Sequence, residues 1–237
     1  MPTVLIICGG LGSRLKDLYP ELPKPLIEAN GKPFIEWILL AFILKGFKDF
    51  VFAAGYLSEK IQAWTENLNY KDCTFKVIKE DSPLGTGGAI LNALHLCSDE
   101  IIVTNGDSLL LFDFLELKNH LTNHQLVIAG RTVSDCSRYG SLEINDHQQL
   151  VKFVEKRPGR GLVNGGIYCF NKSLLSKFEC VFPISMEMQI IPSLLTSLVK
   201  IYAYDVGDAP FIDIGTPDAL KSAGAFLNQQ KSFWKIN

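Results

Sequence analysis

Short apolar runs rich in β-branched and aromatic residues alternate with longer amphipathic stretches through the first half of the chain. They fall at Val4 to Cys8, Pro33 to Lys45, Phe50 to Ala54, Glu59 to Leu68, Phe75 to Lys79, Gly88 to Leu96 and Ile101 to Thr104. The short runs read as strands and the longer ones as helices. Such alternation leaves few folds open, because each parallel neighbour needs a crossover and each crossover helix covers a sheet face. The expected class is α/β: three layers, α/β/α, around a mixed, mainly parallel central sheet. The helix from Pro33 carries proline at its first position and Gly46 just past its last apolar residue.

The second half reads differently. Strands at Leu126 to Val133, Gly140 to Ile144, Val151 to Val154 and Leu162 to Phe170 follow with little helix between them, as antiparallel additions around a pocket. A helix is expected after Ser185, with Glu187 in its first turn and a bend or restart at Pro192. Strands at Ile201 to Val206 and Phe211 to Ile214 precede a closing helix after Pro217. No repeat, low-complexity tract or Pro/Ser-rich linker divides the 237 residues, so one domain over 1–237 is expected.

Twenty-three basic and 25 acidic residues nearly cancel, to a net charge of −2, so no global field draws the chain to nucleic acid or an anionic membrane. The six cysteines form no Cys-x-x-Cys pair and have no His at metal-ligand spacing; they read as free thiols in a reducing cytosol. The apolar start lacks a basic leader and runs into Gly9-Gly10, and no apolar run approaches the roughly 20 residues that span a bilayer. A cytosolic protein is expected.

Gly9-Gly10-Leu11-Gly12-Ser13-Arg14 follows the first strand, where glycines let successive backbone N–H groups turn inward around an anion. A tight turn is the alternative. The spacing fits neither Gly-x-x-x-x-Gly-Lys-Ser/Thr nor Gly-x-Gly-x-x-Gly/Ala, and no acid stands about 20 residues on to take a ribose. Arg14 and Lys24, the latter held between Pro23 and Pro25, supply two cations suited to a polyphosphate. Three later segments each have a plain structural reading as well: Leu84-Gly-Thr-Gly-Gly-Ala89 as a helix start, Asn105-Gly106-Asp107 as a turn, and Phe153-Val-Glu155-Lys156-Arg-Pro158 as a solvated charge cluster.

Taken in order, Gly9 to Leu15, Pro23 to Leu26, Gly31 to Glu36, Leu84 to Ala89, Asn105 to Asp107, Phe153 to Pro158, Val163 to Tyr168 and Phe211 to Pro217 resemble the signature of the sugar-1-phosphate nucleotidylyltransferases. The resemblance implies a Rossmann-like nucleotide-diphospho-sugar transferase fold. It also implies a reaction, in which a nucleoside triphosphate and a sugar 1-phosphate give an NDP-sugar and pyrophosphate. The loop Cys8, Gly9, Gly10, Leu11, Gly12, Ser13 and Arg14, with Lys24, Gly85, Thr86 and Gly87, would bind the nucleotide. Asn105, Gly106, Tyr139, Gly140, Glu155, Lys156, Asn164 and Gly165 would bind the sugar phosphate. Asp107 and Asp213 would hold Mg²⁺, and Arg14, Lys24 and Asp107 would be catalytic.

Cys8 and Ser13 stand where the family usually has alanine and threonine, but loop contacts are largely backbone. Ser185-Met-Glu187 also resembles a family stretch; an N-cap with an acid in the first turn explains it equally well, so it stays outside the catalytic set. A finer similarity, carried by Cys8 to Gly12, Pro83 to Gly88, Arg138-Tyr139-Gly140, and Leu162 to Tyr168 with Phe211 to Gly215 after it, is to the short bacterial guanylyltransferases of D-glycero-α-D-manno-heptose 1-phosphate. GTP and that sugar phosphate are therefore the expected substrates of a monomer or homodimer, with no nucleic-acid or membrane partner. The alternatives are mannose 1-phosphate as acceptor, UTP, dTTP or CTP as donor, or a silent NDP-sugar-binding regulator.

Overall fold

In a computed structural model, which describes residues 1–10, 15 and 17–234, Val4, Leu5 and Ile6 are all fully buried. Successive strand side chains point to opposite faces, so three buried in a row mean a strand covered on both sides. That strand is β1 (Thr3–Ile7). After it come β2 (Glu28–Ala29), β3 (Lys32–Pro33), α1 (Phe34–Ile43), β4 (Asp49–Ala54), α2 (Ser58–Glu66), β5 (Thr74–Lys79), α3 (Gly85–Ala93), β6 (Glu100–Asn105), β7 (Ser108–Leu110) and α4 (Leu115–Leu121). The remainder is β8 (Leu126–Val133), β9 (Gly140–Ile144), β10 (Leu150–Glu155), β11 (Gly161–Asn171), α5 (Ile191–Thr196), β12 (Ile201–Asp205), β13 (Phe211–Asp213) and α6 (Pro217–Gln229).

Nine of these strands form one sheet among the described residues. β5, β4, β1 and β6 lie side by side and parallel; β11 pairs antiparallel with β6 and β8, and β12 is parallel to β8. β9 and β10 extend it as an antiparallel pair beside β11, so that only β10 and β11 oppose the common direction. The mixed, mainly parallel sheet is the expected one. Val4 and Ile6 pack with residues of α1, α4 and α6 on one face, and Leu5 packs with α3 and α5 on the other, completing three layers. No helix among the described residues is long and apolar enough to cross a membrane, and all six cysteines are free.

Pro33 departs from its expected place. It pairs with Glu28 in the short β2–β3 hairpin and stands at the N-cap of α1, which begins at Phe34. Asn30 and Gly31 turn that hairpin with φ of +53° and +80°, the left-handed pair a tight two-residue turn demands. Gly46 ends α1 as expected, at φ +86°. α3 begins three residues earlier than the apolar pattern suggested, at Gly85, because the backbone N–H groups of Gly87 and Gly88 are drawn to the carbonyl of Ile184. α4 and β7 were not anticipated.

Candidate active site

The parallel strands β1, β4, β5 and β6 all end on one edge, the edge at which open α/β sheets bind ligands. Gly9 and Gly10 follow β1, Gly55 follows β4, Glu80 follows β5, and Gly106-Asp107 follows β6. The predicted loop residues Leu11, Gly12, Ser13 and Arg14 lie outside the described residues. A Cβ on Gly9 would stand 2.5 Å from Oε1 of Glu80, so any side chain there would push the Glu80 carboxylate aside. Cys8 is buried beside this turn, and burial, reinforced by the charges of Asp107 and Glu80, pushes its thiol up and keeps it protonated. Its side chain is a small packing element under Gly106, and its backbone N–H is committed to the Ala53 carbonyl at 2.7 Å.

A cavity of about 230 Å³ opens here, lined by Gly9, Gly10, Glu80, Pro83, Gly85 and Thr86 together with Ile7 and Ala89. Glu80 also walls an adjoining cavity of about 240 Å³ that reaches Gly55 and Asp81. The Glu80 side chain accepts the Leu84 N–H on Oε2 at 3.3 Å, while Oε1 is buried without a hydrogen-bond partner among the described residues. Burial raises its carboxyl above the ordinary range. Gly87 does not line the cavity; a Cβ on it would meet Ile190 Cδ1 at 2.6 Å, so its missing side chain lets the 184–190 segment pack onto α3.

Asp107 and Asp213 are far apart in sequence, and β7 and β13 join them. Asp213 pairs with Ser108, and the Ile214 N–H donates to the Asp107 carbonyl at 3.0 Å. Lys24, in a 3₁₀ turn after Pro23, places Nζ 2.6 Å from Asp107 Oδ2 and 3.7 Å from Asp213 Oδ1. Two carboxylates on one point, each partly exposed, give a hard divalent ion two oxygen ligands and leave room for water and phosphate oxygens, which suits Mg²⁺. No cluster of three or more His, Cys, Asp or Glu that could hold a metal occurs among the described residues.

The second cavity, also about 230 Å³, gathers Asn105, Tyr139, Gly140, Glu155, Asn164, Gly165 and Asp213 of the predicted set. It adds Arg138 and Glu187. Lys156 is exposed, at φ +50°, and does not line it; Arg138 is the cation that does. β11 bulges away from β8 between Asn164 and Tyr168, where Gly166 at φ +72° brings the backbone against the Asn105 amide. Glu187 accepts hydrogen bonds from Tyr168 at 2.8 Å, Thr86 at 2.7 Å and Ser185 at 2.8 Å. The expected N-cap is present as well, since the Ser185 hydroxyl accepts from the Glu187 and Met188 N–H groups.

A glycine-bounded cavity, a polar cavity and a lysine between two aspartates make the arrangement suited to holding two phosphate-bearing molecules. Comparison with known proteins agrees: the profile of the nucleotidyl transferase family matches residues 3–230. The chain belongs to the nucleotidyl transferase family. It is 34% identical over 216 residues to a D-glycero-alpha-D-manno-heptose 1-phosphate guanylyltransferase of Campylobacter jejuni, covering 90% of this chain and 95% of that one. A protein of the same description from Aneurinibacillus thermoaerophilus is 33% identical over 226 residues, covering 92% and 95%. Among solved structures, HddC from Yersinia pseudotuberculosis superposes with a TM-score of 0.86 at 31% identity, covering 96% of this chain and all of that one. The same protein has also been solved complexed with GMP-PN. Like other nucleotidyl transferases, this chain is an enzyme of nucleotidyl transfer.

Proposed function

We propose that the protein joins GTP to D-glycero-α-D-manno-heptose 1-phosphate, giving the GDP-sugar and pyrophosphate. The observation that carries the choice of base is the Glu80 oxygen that has no hydrogen-bond partner among the described residues, on a side chain that walls the glycine-bounded cavity. Guanine is the base whose pairing edge offers two adjacent donors, N1–H and the 2-amino group, and an ionised carboxylate is an acceptor only. Uracil and thymine flank their single N–H with two carbonyls, which the carboxylate would repel. The choice of sugar follows the Campylobacter and Aneurinibacillus relatives, similar over nearly their whole length.

An oxygen of the sugar phosphate attacks the α-phosphorus, the bond from that phosphorus to the bridging oxygen breaks, and pyrophosphate leaves with the electron pair. The nucleophile is a phosphate monoester with a second pKa near 6, so it is largely ionised at pH 7 and no general base is needed. Catalysis is then positioning and charge neutralisation. Lys24 and Arg14 balance charge on the departing pyrophosphate, Arg138 with Lys156 attracts the acceptor phosphate, and Glu155 and Asn164 take sugar hydroxyls. Mg²⁺ on Asp107 and Asp213 would supply the further positive charge that lets two anions approach. We assign this activity to one catalytic domain spanning residues 1–237, acting in the cytosol as a monomer or homodimer.

The reverse reaction tests the assignment: GDP-heptose and pyrophosphate should yield GTP and the sugar 1-phosphate. Failure of GDP-heptose to react, with UDP- or dTDP-sugars cleaved instead, overturns the guanylyl assignment.

A further inference from the structure

Glu187 is used by none of the steps above, yet it stands between the two cavities. Thr86, a wall of the first cavity, donates its hydroxyl proton to Glu187 Oε2 at 2.7 Å and accepts the Met186 N–H at 2.9 Å. Tyr168, fully buried, donates to Glu187 Oε1 at 2.8 Å and accepts an amide hydrogen of Asn164 at 2.6 Å. Asn164, a wall of the second cavity, spends its carbonyl on the Gly166 N–H at 3.0 Å. Ser185 gives Glu187 a third hydroxyl proton.

Resting on the assignment of the two cavities to nucleotide and sugar phosphate, we propose that Glu187 is a positioning residue that sets hydrogen-bond polarity in both cavities and so couples their affinities. A carboxylate accepts and cannot donate, so each hydroxyl that meets it has its proton committed. Thr86 therefore offers the nucleotide a lone pair. Tyr168, its proton committed to Glu187, can only accept from Asn164, which fixes the amide orientation and leaves the second Asn164 N–H for a sugar oxygen. Burial and the adjacent Glu187 charge hold the tyrosine well above its ordinary ionisation range, so it remains a donor. Loss of any one donor redistributes the others, because they share one carboxylate in a buried network.

Such coupling predicts effects in the opposite cavity. Thr86→Val should raise the KM for the sugar 1-phosphate, and Tyr168→Phe should raise the KM for GTP, each about fivefold or more, the lower bound of ordinary site-to-site coupling. In the double variant the losses should be less than multiplicative, as for groups acting through one shared partner. If each single variant moves only the KM of its own cavity and the double variant is multiplicative, the proposal is overturned. Should Tyr168→Phe fail to fold, Glu187→Gln serves: Glu187 does not line the first cavity, so a rise in the KM for GTP supports the proposal and an unchanged value overturns it. Wild-type activity separates the two levels. A wild type that turns over no sugar 1-phosphate overturns the cavity assignment and this inference with it; an active wild type with unmoved opposite-cavity KM values overturns this inference alone.

Discussion

Lys24 Nζ lies 2.6 Å from Asp107 Oδ2, in a part of the molecule where the lysine side chain is only 12% exposed. A largely buried ammonium needs a counter-charge, and the partly exposed Asp107 carboxylate supplies it. Asp213 at 3.7 Å completes a cluster with one positive and two negative charges. The excess negative charge suits the pair of aspartates to a divalent ion.

Replacing either Asp107 or Asp213 by Asn keeps the shape and removes one charge. Pyrophosphate release should fall about 100-fold or more in each, the scale of losing one transition-state electrostatic contact. Circular dichroism should show both variants folded.

Lys24→Met leaves two carboxylates facing each other without their ammonium. The variant should lose about 1 to 2 kcal/mol of stability in EDTA, toward the modest end because both carboxylates keep contact with water. Mg²⁺ should then raise its Tm by more than it raises that of the wild type. Equal Mg²⁺ shifts in the two proteins would count against the aspartates as the metal seat.

Glu80→Gln separates selectivity from stability. Burial raises the folded-state pKa of this carboxyl above its unfolded value, so the folded protein holds the proton more tightly. Stability from that proton is complete below the unfolded value and is lost as pH rises through the folded one. The Gln variant cannot ionise, so its melting temperature should rise relative to the wild type as pH increases and the buried carboxyl loses its proton, with the difference closing toward acid pH. Its preference for GTP over UTP should fall tenfold or more, since an amide no longer offers two acceptors.

Gly9→Ala would bring a methyl to 2.5 Å from Glu80 Oε1. Displacing that carboxylate should raise the KM for GTP while leaving the KM for the sugar 1-phosphate nearly unchanged, with only a small loss in thermal melting, since what must move is the end of a flexible side chain.

Much of this architecture is legible in the residues because it is local. β8 and β9 run over the expected residues, Gly46 closes α1, and Ser185 caps the turn it was expected to cap. Asp107 at the end of β6 follows from an apolar run and the turn after it. What was missed depends on tertiary contact. β7 has three residues and α4 seven, too few for a period to emerge. Glu80 reads as one more acid before Asp81 until the fold puts Gly9 against it. Glu187 meets Thr86 across 101 positions, and its local role as a first-turn acid conceals the distant one. Gly87 carries a packing role that its pattern does not announce, since a Cβ on it would press on Ile184 and Ile190.

A matrix of ATP, GTP, CTP, UTP and dTTP against heptose, mannose and glucose 1-phosphates, scored by pyrophosphate release, tests the central claim most directly. GTP with D-glycero-α-D-manno-heptose 1-phosphate should give the highest kcat/KM. A higher value for UTP or dTTP with any acceptor, or no release from any pair, would contradict the account.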